Sequence, residues 1–211
     1  MNDLLLHYRF RLLLLATLLQ TLIMGWPQPP GWLEWGGLLL LVLASLNTLR
    51  HKRLFKQLAL LVGGLNLALL ALGELVHLPQ ALASGLMLIL FYLLLCGTLF
   101  RRVSSERPVT RELLFGLCAL YLQIALAFAQ AYHLLNGLLP GAFIASNIDT
   151  SLQQDDFMYY SLVTLTTVGY GDIHAIAPLA RLLAGMEAVV GVMFIALAVA
   201  RTLALLQDDR G

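Results

Sequence analysis

The sequence predicts an all-α integral membrane protein with six transmembrane helices. Three observations predict it. The 211 residues are 60% hydrophobic and only 12% charged, with a mean hydropathy of +0.83, whereas soluble domains sit near ~45–50% apolar and ~25% charged. The apolar residues fall in long runs rather than in short amphipathic stripes. The basic residues fall in every second connection between those runs, as topology signals do.

A bilayer core of ~30 Å takes ~20 apolar residues of helix, with a range of ~17–25. On that measure the spans are residues 12–26, 33–49, 58–78, 81–100, 113–135 and 179–206. Residues 4–6 extend the first. Arg9 and Arg11 before a short apolar run also describe a signal peptide, but no small-x-small cleavage site precedes Trp26-Pro27, which favours an uncleaved helix. Residues 136–178 form a long connection that does not span.

Of the thirteen lysines and arginines, twelve alternate in register with both termini in the cytoplasm. Arg9 and Arg11 precede span one. Arg50, Lys52, Arg53 and Lys56 follow span two, and Arg101, Arg102, Arg107 and Arg111 follow span four. Arg201 and Arg210 close the chain. Arg181 alone falls outside, where Glu34, Asp149, Asp155, Asp156 and Asp172 also lie. The expected location is therefore a plasma membrane, with a multi-pass chain embedded in the lipid bilayer.

Several classes are excluded. Disorder and a soluble globule do not fit the composition. A net charge of +1 gives no general attraction for nucleic acid. Cys96 and Cys118 make neither a disulfide framework nor a metal motif. No phosphate loop, nucleophile–base pair or zinc-ligand spacing is present, so no enzyme and no cofactor is expected.

The chemistry lies between spans five and six, in Thr164-Leu165-Thr166-Thr167-Val168-Gly169-Tyr170-Gly171-Asp172. On average residue usage the heptapeptide 166–172 arises by chance on the order of 10⁻⁹ per window. A short helix over 155–166 precedes it, and Pro178 opens the last span. The segment resembles the pore loop of tetrameric potassium channels, and the match covers about the last third of the chain. The layout as a whole resembles the prokaryotic six-span type without voltage-sensor charges. The resemblance implies a peripheral four-helix domain over 1–112 and a pore domain over 113–211. The latter would hold an outer helix, a re-entrant pore helix, a selectivity-filter loop and an inner helix.

What the resemblance implies has a physical basis. Rings of backbone carbonyls from four identical loops can replace the hydration oxygens of potassium. Thr167, Val168, Gly169 and Tyr170 would supply them, with a Thr167 hydroxyl ring at the inner end. Gly171 and Asp172 would turn the chain to the outer mouth. Gly169 and Gly171 allow the positive φ that such a backbone needs. Thr166, Tyr159 and Tyr160 would support the loop, the two tyrosine hydroxyls reaching toward Asp172 and Tyr170; ordinary interfacial tyrosines are the alternative. Val163 departs from relatives that carry a carboxylate there as a partner for Asp172. One chain carries one loop, so the active form would be a C₄ homotetramer. The pore-helix C-terminus, worth ~0.5 of a negative charge, would face the central cavity. Potassium is then the permeant ion, not a cofactor, and no accessory gating subunit is indicated.

Further residues stand out. Glu187, a carboxylate inside span six, is a gating candidate, either neutral or hydrogen-bonded behind the filter, or a structural bond only. Gly191 matches the hinge glycine of inner helices, and glycine there permits bending or close packing; Gly185 could serve either purpose. Span four holds no arginine or lysine before Arg101, so little intrinsic voltage dependence is expected. Asn47, Asn66 and Glu74 read as inter-helix hydrogen-bonding sites, and His77 and His133 as interfacial residues. His174, two residues beyond Asp172, would put four imidazoles around the outer mouth. That is a pH-sensing candidate, or simply a solvated turn residue. A poorly selective cation channel, the membrane subunit of a potassium uptake transporter and a non-conducting partner protein are the competing functions.

Overall fold

The computed structural model describes residues 8–48, 57, 61, 63–64, 80–105, 111–146 and 151–208. The chain is mostly helical. In order it forms α1 (Arg9–Met24), α2 (Gly31–Thr48), α3 (Gln80–Ser105), α4 (Arg111–Leu138), β1 (Phe143–Ala145), α5 (Gln154–Leu165), β2 (Ile173–Ala175) and α6 (Pro178–Asp208). These helices fall on spans one, two, four, five and six and on the short helix of the connection. Nearly all of span three, with Asn66, Glu74 and His77, lies outside the described residues.

Two of the described helices are long and apolar enough to cross a membrane, Glu112–Leu138 and Pro178–Leu203; Gly85–Arg101 is apolar but shorter. The 16 residues of α1 reach ~24 Å at ~1.5 Å per residue, less than the ~30 Å of a hydrocarbon core. The all-α expectation takes one correction. The connection between α4 and α6 contains two three-residue antiparallel strands, with Phe143 opposite Ala175, Ile144 opposite His174 and Ala145 opposite Ile173. Their pairing satisfies backbone groups that a bare loop would leave open.

Helices α1 and α3 pack on α4 of the same chain, and α2 packs on α1. Their common core is aliphatic, with Phe10, Leu13, Leu41, Phe91, Leu95, Leu120 and Leu126 buried. Polar bonds also cross it: Gln123 Nε2 donates to Thr17 Oγ1 at 3.3 Å, and Tyr92 Oη and Gln130 Nε2 each donate to the Met24 sulfur at 3.9 Å. At one end, Arg11 Nε lies 2.6 Å from Glu112 Oε1. Its guanidinium also lies 5.0 Å from the Tyr8 ring centroid and 4.9 Å from that of Phe115. These contacts cross the boundary expected near residue 112, joining α1 to α4.

A second core lies under the strands. Tyr132, Phe143, Phe157 and Tyr160 pack edge to face, with centroids 5.1–5.6 Å apart and ring planes at 70–73°. That geometry sets the positive ring edge against the negative face of its neighbour. It holds the start of α5 against α4 and β1, and so fixes the loop that follows α5.

Candidate functional site

The site is built at the C-terminal end of α5. Asp155 and Asp156 stand in its first turn, where a helix end favours negative charge. The Gln153 amide donates to Asp156 Oδ2 at 2.7 Å and starts the helix cleanly. At the other end Thr166 is tied down twice. Its amide donates to the Leu162 carbonyl at 3.0 Å, and its hydroxyl to the same carbonyl at 2.6 Å. The Val163 carbonyl then accepts from the amides of Val168, at 2.9 Å, and Gly169, at 3.1 Å. The α5 C-terminus thus caps the loop instead of standing open.

Beyond α5 the backbone alternates. Thr167, Gly169 and Gly171 have φ of +61°, +51° and +78°, while Val168 and Tyr170 are not in the positive region. Positive φ at every second residue belongs to neither helix nor strand. The two glycines were expected here. Thr167 was expected only as a ligand, and a β-branched residue at positive φ is a strained position that costs of order 1–3 kcal/mol. Within the subunit, residues 166–171 are exposed, with Tyr170 at 72%.

Two contacts brace the outer end. The Tyr159 hydroxyl donates to Asp172 Oδ2 at 2.8 Å. Its ring lies parallel to that of Tyr170, at 3° and 6.4 Å between centroids. The hydrogen bond holds the Asp172 carboxyl below its ordinary range and pushes the Tyr159 hydroxyl up to about 12. Tyr160 turns the other way, into the aromatic core, so within the subunit the hydroxyl on Asp172 is that of Tyr159. The Ser146 amide donates to the Asp172 carbonyl at 2.8 Å, which ties the end of the loop to the strand pair. His174 sits in β2, half-buried, three residues after Gly171.

Helix α6 lies behind α5. Glu187 is fully buried. Tyr132 of α4 donates to its Oε2 at 2.5 Å, and Ser161 of α5 lies 2.5 Å from its Oε1. Ser161 Oγ also contacts the Ala125 carbonyl at 2.8 Å. One turn on, Gly191 faces the end of α5, where an added Cβ would overlap the Leu165 carbonyl oxygen. That same oxygen accepts the Tyr121 hydroxyl at 3.1 Å. Glu187 was expected behind the loop. Sequence spacing marks neither its partners Ser161 and Tyr132 nor Tyr121 on the Leu165 carbonyl, because tyrosine and serine in an apolar run carry no pattern that separates them from helix filler. His133 is half-buried and packs its ring against Phe157, with centroids 5.9 Å apart.

The family model described as an ion channel matches residues 120–208, from the middle of α4 through α5 and the loop to the end of α6. Protein LctB of Bacillus caldotenax is 37% identical over 106 residues, covering 48% of this chain and 78% of that protein. The chain belongs to an ion channel family. No solved structure matches it. In this ion channel the matched stretch contains the whole of the site: the alternating backbone at 167–171, its braces Tyr159 and Asp172, and the buried Glu187 and Gly191. Helices α1, α2 and α3 lie outside the match.

Proposed function

We propose that the protein is a potassium-selective channel of the plasma membrane. It is a homotetramer of six-span subunits with both termini cytoplasmic, conducting passively through four copies of Thr167-Val168-Gly169-Tyr170-Gly171. The observation that carries this reading is the alternation of positive φ at Thr167, Gly169 and Gly171. Such alternation suits a backbone that turns a row of carbonyls to one side, and four such rows around an axis would make the oxygen cages that replace potassium's hydration shell. Thr167, Val168, Gly169 and Tyr170 supply the oxygens. Non-helical backbone at membrane depth requires surrounding protein or an aqueous pore, and α5 and α6 supply part of that wall.

The exposed loop and the bare flank of α6 support the tetramer. Only 11% of the most apolar stretch of α6 is buried within the subunit. Leu182, Met186, Val189, Val192 and Met193 are exposed on it. The C-terminus of α5 directs its partial negative charge at the inner end of the loop, which favours a cation there. Conduction proceeds by knock-on between adjacent sites. Because span four carries no gating charge, the conductance–voltage relation in symmetric potassium is flat.

The test is flux and current from liposomes that contain this chain alone. Reversal potentials in mixed sodium and potassium follow the potassium gradient if the reading holds. Equal permeability to the two ions would make it a poorly selective cation channel. Absent flux from a well-assembled tetramer would leave the uptake-transporter subunit or the non-conducting partner.

A further inference from the structure

We propose that Glu187 carries a proton in the working protein and acts, as a neutral carboxylic acid, as a positioning residue that locks α6 to α5 and α4. The inference deepens the channel reading, on which only its conduction arm rests.

The hydrogens available to the cluster fix where the proton lies. Three oxygen–oxygen contacts meet in this cluster: Tyr132 Oη to Glu187 Oε2, Ser161 Oγ to Glu187 Oε1, and Ser161 Oγ to the Ala125 carbonyl. Each needs a hydrogen between its oxygens, because two bare acceptors at these separations repel. Tyr132 and Ser161 own one hydroxyl hydrogen each, which leaves one contact unsupplied. The carbonyl of Ala125 cannot supply it, so Glu187 must. The consistent chain runs from Glu187 Oε1–H to Ser161 Oγ, and from Ser161 O–H to the Ala125 carbonyl. Tyr132 O–H donates to the remaining carboxyl oxygen.

Charge leads to the same assignment. Glu187 is 0% exposed, and among the described residues no lysine, arginine or histidine pairs with it. The titratable groups that bear on it are Tyr121 and Tyr132 from α4 and Tyr160 from α5, all phenols with no positive charge to offer. An ionised carboxylate buried without a cation is among the costliest arrangements in a protein interior. A neutral acid with every donor and acceptor used is not.

The placement gives the acid its task. Ser161 lies one turn before Leu165, the last residue of α5, and Gly191 lies one turn beyond Glu187 against Leu165. Helix α6 therefore grips α5 at two successive turns, directly behind the alternating loop, and Tyr132 and Ala125 extend the grip to α4. Loosening it frees the segment that aims the loop.

The test uses the full chain in liposomes at neutral pH. Difference infrared spectra of wild type against Glu187→Gln are expected to contain the carbonyl stretch of one protonated carboxyl, which an ionised carboxylate lacks. In Tyr132→Phe that band moves to higher frequency, because the carboxyl C=O loses its donor. Glu187→Gln, which can donate and accept as the acid does, keeps potassium flux within about twofold of wild type. Glu187→Ala strands Ser161 and Tyr132 and lowers flux on the order of tenfold. Absence of the band overturns the proposal, as does a band indifferent to Tyr132→Phe, or a Gln variant as damaged as the Ala variant. If Glu187→Ala fails to assemble, the spectra still decide. If wild type conducts no potassium, the channel reading fails, and the spectra report on the proton regardless.

Discussion

The backbone at Gly191 lies against the carbonyl oxygen of Leu165, so near that no Cβ fits between them. A glycine in a membrane helix serves bending or close approach, and this contact supports the second. Gly191→Ala must push α6 off the end of α5. Overpacking costs ~1–3 kcal/mol, and with backbone as the obstacle we expect a loss of about 3 kcal/mol. A lowered melting temperature of the assembly in detergent checks this. A variant that melts like wild type but opens differently would assign the residue to bending.

Tyr159 makes two separable contacts, a hydrogen bond to Asp172 and a parallel stack on Tyr170. Tyr159→Phe removes the first and keeps the second. We expect potassium-over-sodium selectivity to survive while sustained current decays faster, because the outer turn of the loop loses its tie. Tyr159→Ala removes both contacts and should lower selectivity as well. Mixed-cation reversal potentials and long voltage steps separate the two variants. If Tyr159→Phe leaves the current decay unchanged, the bond does no such holding.

Much of this site could be read from residue order, and the misses have physical causes. Gly169 and Gly171 announce positive φ because glycine alone tolerates it freely. Thr167 hides the same conformation, since a β-branched residue predicts against it. Adjacent Tyr159 and Tyr160 looked equivalent, but neighbours on a helix point ~100° apart, so one meets Asp172 and the other the aromatic core. The strand pair escaped notice because three residues are too few for a period to register. Glu187 stood out as a carboxylate in an apolar run. Its hydrogen-bond partners come from two other helices, and no sequence spacing encodes that meeting.

Arg11 joins α1 to α4 by an ion pair with Glu112 and by stacking between Tyr8 and Phe115. The two side chains are 46% and 18% exposed, so the pair contributes at most about 1 kcal/mol after screening. Each cation–π contact adds ~0.5–1 kcal/mol. Arg11→Ala should therefore destabilise by about 2 kcal/mol, and Glu112→Gln by less than half of that. Raising the salt concentration should shrink the Glu112→Gln deficit while most of the Arg11→Ala deficit persists. Melting curves of the two variants at low and high salt decide; equal deficits at both would remove the stacking contribution.

Acid should act on the outer mouth through His174 and not through Asp172. The Tyr159 hydroxyl holds the Asp172 carboxyl below its ordinary range, ~3.9 for an aspartate. For a depressed carboxylate the linked stabilisation is fully present above that ordinary value. It is lost only as pH falls through the depressed one. Between about pH 7 and pH 5, Asp172 therefore stays ionised and keeps Tyr159. In the proposed tetramer four copies of His174 would ring the mouth, and positive charge gained there would lower the local concentration of a cation, so a fall of potassium conductance in external acid is expected. His174→Asn should abolish that fall. Asp172→Asn should lower conductance at every pH, because it removes a negative charge that is present throughout the window. Single-channel conductance against external pH distinguishes them, and an acid block that persists in His174→Asn would clear His174 of any part in it.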